Sequence, residues 1–575
     1  MDAAGRASNR RALIRIAIVL SLVISDGSLM LGQSGPGGAQ NIAPAEQLVA
    51  ERRWQDVVNL VQSVPAPSAE LYFDYGTALA QLGRWEDARR AFRAGARLRP
   101  DDKRFPIELA GVAFKQKRYA EAATYLRRTL KLAPDDSYGN NFLGTVYFLE
   151  GNLDAALKYW NRIGKPQIAE VRTDPTPRVD PALLDHAFAF APASTLKLSE
   201  LLTTDVRIRG LGIFPSYRFD LLGRDDGKFD LVFRNQERDS WGRNKWERLF
   251  LLFRELPFQT ITPEFYNLGR EATNIQSLFR WDAQKRRVLA RVSAPFERNP
   301  KFRYGFIADL RSENWDIRDS FSGPAPLLGS LNLRREAVGV DFASFVSGRW
   351  RWSAGAEVSH RNFRSVIPGA ALTPDLLAKG YQLKQMAQVD AELRRIPERR
   401  LTVEGAVSSQ AGRIWSHPSH SFEKLQGSLR FHWFPQAEGD DYETQQQLRA
   451  GKTLGNVPFD ELLMLGLEHD NDLWMRGHIG TRDGRKGSAP LGRNYFLSNW
   501  ETDKNVYHNG LLTLKLGPFV DTGKITDSDP GLGSHKWLWD VGGQAKARLF
   551  GTGIVFSYGK DLRSGNNAFY LSMLR

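Results

Sequence analysis

Along the second half of the chain, apolar and polar residues alternate one by one. Trp350, Trp352, Ala354, Ala356 and Val358 interleave with Arg351, Ser353, Gly355, Glu357 and Ser359. Leu401, Val403, Gly405 and Val407 interleave with Thr402, Glu404, Ala406 and Ser408. Leu425 to Trp433 and Trp537 to Arg548 read the same way. A period of two puts successive side chains on opposite faces of a strand. Segments of about ten residues with one apolar and one polar face are the pattern of a membrane-spanning barrel, apolar outward and polar inward. A soluble sandwich also alternates, but it buries its apolar faces against each other. The strand-rich text runs over residues 246–575. It predicts a C-terminal antiparallel transmembrane β-barrel of about sixteen strands, an even number being usual for bacterial barrels.

The N-terminal pattern is helical and repeats. Ala88, Ala122 and Ala156 recur every 34 residues, as do Pro100 and Pro134. Gly76 and Gly144 lie two periods apart, as do Gly83 and Gly151. This is the tetratricopeptide period, in which each unit is a helix pair that stacks on the next. Small residues let the paired helices approach, Phe92, Leu126 and Trp160 fill the gap, and the prolines end each unit. The array is expected over residues 44–168, with Trp54–Val64 as an atypical first unit. Its concave side suits a peptide; a rigid spacer is the plainer reading.

Between array and barrel, Pro166, Pro175, Pro177 and Pro181 suggest a semi-rigid Pro-rich linker over 169–185. Residues 186–238 form a small α/β module, with Leu196–Leu202 helical. Two strands, Tyr217–Leu222 and Lys228–Phe233, are joined by Asp225-Asp226-Gly227, a hairpin signal. Residues 1–40 read as an export signal peptide: Arg6, Arg10 and Arg11 precede an apolar run from Ala12 to Ile24 that is short for a spanning helix. The whole chain is thus an α + β multidomain protein: a helical tetratricopeptide solenoid, a small α/β module and a barrel.

Composition changes this picture little. The net charge of +14 raises nucleic acid as a partner. The basic residues are spread along the chain and no reader motif is present, so none is expected. The absence of Cys excludes disulfides, thiol catalysis and a lipobox. His417 and His420, in Ser-His-Pro-Ser-His, have metal-like spacing but no adjoining acidic or further His partner, and a solvated loop is expected. Neither a cofactor nor a metal site is expected.

Two short strings organise the barrel text: Met475-Arg476-Gly477-His478 in a Gly-, Asp- and Arg-rich segment, and Phe519-Val520-Asp521-Thr522-Gly523 at the end of an alternating strand. In that strand Leu512, Leu514, Leu516, Pro518 and Val520 share the apolar face, so Asp521 points inward. A buried carboxylate requires a cationic partner, and Arg476 is the candidate. The pair of strings resembles the bacterial surface-antigen superfamily of outer-membrane assembly and two-partner-secretion barrels. There, an Arg-Gly-aromatic loop tip folds into the lumen and its Arg meets the Asp of Phe-x-Asp-x-Gly. His478 stands where that family usually has Phe or Tyr. Leu463-Met464-Leu465-Gly466 before the loop, Asn499-Trp500-Glu501 between the strings and Tyr558-Gly559-Lys560 before the last strand are similar in order to the family's. Pro257, Asn267-Leu268-Gly269 and Pro295 are similar to its first strands, and the 217–236 hairpin to the end of its polypeptide-transport-associated (POTRA-like) module.

The resemblance implies an outer-membrane protein that moves or inserts polypeptides, with the repeats in the periplasm binding a client or partner. Arg476, Gly477, His478, Asp521 and Gly523 would form its lumen loop–strand pair. Expected partners are unfolded or secreted polypeptide, other assembly or periplasmic proteins, and outer-membrane lipid. No enzymatic activity is implied. The alternatives are a repeat-plus-barrel exporter of polysaccharide or surface lipoprotein, and a purely structural outer-membrane scaffold. Asp521-Thr522-Gly523 is also the aspartic-protease string, but a protease needs two such carboxylates and the chain has one copy.

Overall fold

The computed structural model describes residues 39–238, 255–318, 326–369, 372–436, 439–509, 512–527, 532, 534–549 and 552–574. The expected export signal lies outside them up to residue 38, as does the first stretch expected of the barrel, 246–254.

The array is built of paired helices: Ala39–Ala50 with Trp54–Gln62, Ala69–Gln81 with Trp85–Leu98, Arg104–Lys115 with Tyr119–Leu132, and Ser137–Leu149 with Leu153–Trp160. Side chains cap several N-termini: Ser68 accepts from the Leu71 amide, Asp136 from Gly139 and Asn152 from Ala155. The 34-residue period has a steric cause. A Cβ on Gly76 would lie 2.5 Å from the Phe92 ring, and one on Gly144 would lie 2.4 Å from the Trp160 ring. Ala88, Ala122 and Ala156 are fully buried at the same seams. Gly83 and Gly151 turn between paired helices with positive φ, and the intervening unit places Lys117 there at φ 60°, which accounts for the two-period spacing.

The Pro-rich segment is not a linker. Ile168–Asp174 is a strand, parallel to Phe229–Gln236, which in turn pairs antiparallel with Ser216–Gly223. Pro181 opens the helix Pro181–Ala187, where its missing N–H costs nothing. The helix expected at Leu196–Leu202 runs Leu198–Leu211 and ends at Gly212, φ 69°. The module thus begins at the strand, well before residue 186, and it does not hang free. One hydrophobic core runs from Ala110 through Trp160 to Ile168, Leu221 and Leu231, and the Trp160 ring lies 5.6 Å from Phe229. Prolines at the strand end and the helix start imitate a linker's composition.

The strands from Thr260 to Leu574, apart from one two-residue pair inside a loop, join edge to edge in one barrel sheet of eighteen strand segments. Thr260–Ile261 and Glu264–Leu268 are pieces of one strand against Thr273–Trp281, and two two-residue segments belong to an inserted loop. The long neighbours, from Lys285–Phe296 round to Asn567–Leu574, pair antiparallel. The barrel is inside out relative to a water-soluble one. Val338, Val407, Trp537, Trp539 and Phe569 are exposed on its outside, with Val407 and Phe569 at 65%. Arg280, Glu313, Arg361, Lys424, Asp503, Asp521 and Asp540 are buried within. That exterior suits hydrocarbon.

Array and module dock on one rim. Arg303 donates to the Gly210 and Leu211 carbonyls (3.1 and 3.0 Å), and the Asp180 amide donates to Arg270 O (2.7 Å). The barrel turn Pro397–Arg399 meets the last repeat: Asn152 Nδ2 donates to Pro397 O (2.8 Å), and Lys158 Nζ pairs with Glu398 (2.6 Å).

Candidate functional site: a loop fastened inside the barrel

The connection between strands Tyr442–Gly455 and Asn494–His508 starts from the rim opposite the array and folds back into the lumen. It is longer than the sequence suggests, because Leu463-Met464 lies inside it, paired with Leu491-Gly492. At its tip, Arg476 meets the strand Leu512–Thr526. Arg476 Nε donates to Asp521 Oδ2 (2.9 Å) and Nη2 to Oδ1 (2.7 Å), a bidentate fork, while the Arg476 backbone amide adds a third bond to Oδ2 (2.9 Å). Nη1 donates to Glu501 Oε2 and Gln544 Oε1, both at 2.8 Å. The guanidinium lies 3.8 Å from the centre of the Phe519 ring, a cation–π contact. Asn499 Nδ2 donates to Asp521 Oδ1 (2.7 Å). Asp521 is 0% exposed and Arg476 4%. Both oxygens of the carboxylate are thus taken by fixed donors, unlike a proton-sharing protease dyad.

The glycines let backbone touch wall. A Cβ on Gly477 would lie 2.6 Å from Asp540 Cγ, and one on Gly559 would lie 2.1 Å from Arg476 O. A Cβ on Gly523 would come within 2.9 Å of Met475 Sδ. His478, buried, directs Nδ1 to Asp540 Oδ2 (3.1 Å). The Asn499-Trp500-Glu501 and Tyr558-Gly559-Lys560 strings therefore supply a hydrogen-bond donor, an acceptor and the close-approach glycine of this one site.

Two further fastenings were not singled out from the sequence. Asp470 accepts from Arg287 (2.5 Å) and Arg280 (3.2 Å) on the wall, and Lys486 pairs with Glu313 (2.8 Å). On another side, Glu461 is ringed by Lys384 (3.1 Å), Lys424 and Arg335 (3.7 Å), and Asp460 lies 3.2 Å from both Arg335 and Arg361. The available signal was charged residues on the inward rows of Thr273–Trp281 and Gly380–Ile396, matched by acids within the loop. His417 is exposed, as expected of a solvated loop, whereas His420 is buried at the start of His420–Trp433 and corrects that expectation. Strand pairing there turns the ring inward. The repeat residues Gly76, Ala88, Phe92, Ala122, Gly144, Ala156 and Trp160 lie far along the chain from this site, in the helix seams.

Fold and site together define a repeat array joined to a charge-lined barrel with an inserted, fastened loop. The tetratricopeptide repeat family model matches residues 73–137 and 108–167. No curated protein matches the chain. Among solved structures it is similar to BamA from Haemophilus ducreyi lacking POTRA domains 1–3, at 10% identity over 70% of this chain and 83% of that one, with a TM-score of 0.41. It is similar to CdiB from Escherichia coli, at 13% identity over 71% and 75%, TM-score 0.43. It is also similar to MamA, at 17% identity over 22% and 75%, TM-score 0.21. Likenesses this distant leave the function to the chemistry of the site itself.

Proposed function

We propose that the chain is an outer-membrane translocation or assembly protein that moves or inserts polypeptides. The repeats lie in the periplasm and receive a client or partner protein. The observation that carries this reading is the buried Arg476–Asp521 fork, which holds a long loop inside an apolar-coated barrel. Such a loop occupies the path a client would take, and its fastenings are ionic and therefore exchangeable, so it can shift without unfolding the wall. The array docks on the rim opposite the loop's point of entry, a position that supports a role for its concave face in receiving a client at the barrel mouth. No covalent step is required: the side chains bind, orient and release. The test is depletion of the protein followed by comparison of outer-membrane and secreted proteomes. Loss of specific polypeptides from either supports the reading. Unchanged protein content with altered surface polysaccharide would overturn it.

A further inference from the structure

We propose that His478, Asp540 and Asp561 form a binding site for a divalent first-row transition cation of the zinc or manganese class, which fastens the loop tip to the barrel wall. The three buried side chains converge from the loop, from Ser534–Leu549 and from Thr552–Asp561, with one donor atom from each within 4.8 Å of the others. Cation ligands on bonds of about 2.0–2.2 Å stand roughly 3–4 Å apart, so binding draws His478 and Asp540 in toward Asp561.

Three observations call for a cation. The first is charge. Arg476 is engaged by Asp521 and Glu501, and Lys546 by Glu501 and Asp503. Among the described residues, His478 is the only basic group within ion-pair distance of Asp540 or Asp561. Two buried carboxylates therefore face one imidazole, and a proton on it supplies a single positive charge where two are needed. The second is the ring's orientation. Nδ1 lies 3.1 Å from Asp540 Oδ2, which also accepts from the Gly477 amide, so the ring meets Asp540 with one nitrogen and turns the other toward Asp561. Nε2 lies 3.7 Å from Asp561 Oδ2, beyond hydrogen-bond reach, so a bridging imidazolium does not satisfy both acids. The third is orphaned polarity. Among the described residues neither His478 Nε2 nor Asp540 Oδ1 has a hydrogen-bond partner, although both are buried. Asp561 is held in place by the Arg563 amide (2.9 Å) and the Ser564 amide (3.2 Å) and hydroxyl (2.5 Å). One imidazole nitrogen with carboxylates favours a first-row transition cation over calcium or magnesium.

The inference stands without the transport reading, because it concerns only how the loop tip is held. The test is calorimetric titration of the full chain, purified in detergent and stripped with a chelator, with Zn²⁺ and separately with Mn²⁺. One equivalent is expected to bind to the wild type. His478→Phe, which keeps a ring at the tip, and Asp561→Asn should each weaken binding by at least about tenfold. Heat-modifiable migration on gels checks that each variant barrel is folded. Absence of a stoichiometric site in the folded wild type, or equal binding by folded His478→Phe, would overturn the proposal.

Discussion

Arg476 and Asp521, as single residues, satisfy each other in a place that water does not reach. Removing either leaves the other charged and buried, at a cost of about 3–5 kcal/mol. Arg476→Ala and Asp521→Ala should each release the loop and impair assembly or transport, and the double variant should be less than additively worse. A proteolysis time course on the loop around Arg482 reads the release, and the same variants assayed for secretion read its consequence. Single variants with wild-type protection and wild-type secretion would remove the pair from the mechanism. Gly559 makes a related case without touching charge. A methyl group there would meet Arg476 O at 2.1 Å, so Gly559→Ala should expose the loop as Arg476→Ala does. In the Arg476→Ala background it should add little. This much of the site was legible, because alternation put Asp521 inward and an inward carboxylate demands a cation. The Asp460–Glu461 and Asp470 fastenings were not legible. Their partners lie on separate strands, up to 190 residues away, and nothing in a local pattern pairs them.

Among the helices and strands, the repeats were read from spacing because steric fit fixes it: a ring sixteen positions after a glycine in two units. The module was misread because local composition does not show non-local pairing, and Ile168–Asp174 becomes a strand only against Phe229–Gln236. The shared core changes what Trp160 does. Trp160→Ala should cost about 3–5 kcal/mol, and hydrogen exchange should rise in Phe229–Gln236 as well as in Ser137–Trp160. Faster exchange confined to the helices would separate array from module. The array also carries a pH dependence. Burial, reinforced by Glu46 and Glu70, pushes the Asp74 carboxyl up to about 7, and burial pushes Glu108 up to about 7. The folded array therefore holds protons that the unfolded chain releases near pH 4. Its stability should fall as pH rises from about 4 through 7 and stay low above that. Exchange in Ala69–Lys115, corrected for intrinsic rates, should be slower at pH 5.5 than at pH 8, and Asp74→Asn should flatten the difference. Equal protection at both values would contradict the assignment.

Over the full chain, an array and module docked on one rim face a loop inserted from the other. The Lys158–Glu398 and Asp154–Arg395 pairs at that rim, both at 2.6 Å, link the last repeat to the barrel wall. The loop obstructs the lumen, and Arg476 and Asp521 hold it there. Conductance across a planar bilayer reads that obstruction. The wild type should show a small, steady conductance. Arg476→Ala and Asp521→Ala should show a larger one, with frequent transitions as the freed loop moves. Equal conductance in wild type and both variants, with heat-modifiability intact in all three, would mean that the fastened loop is not what closes the barrel.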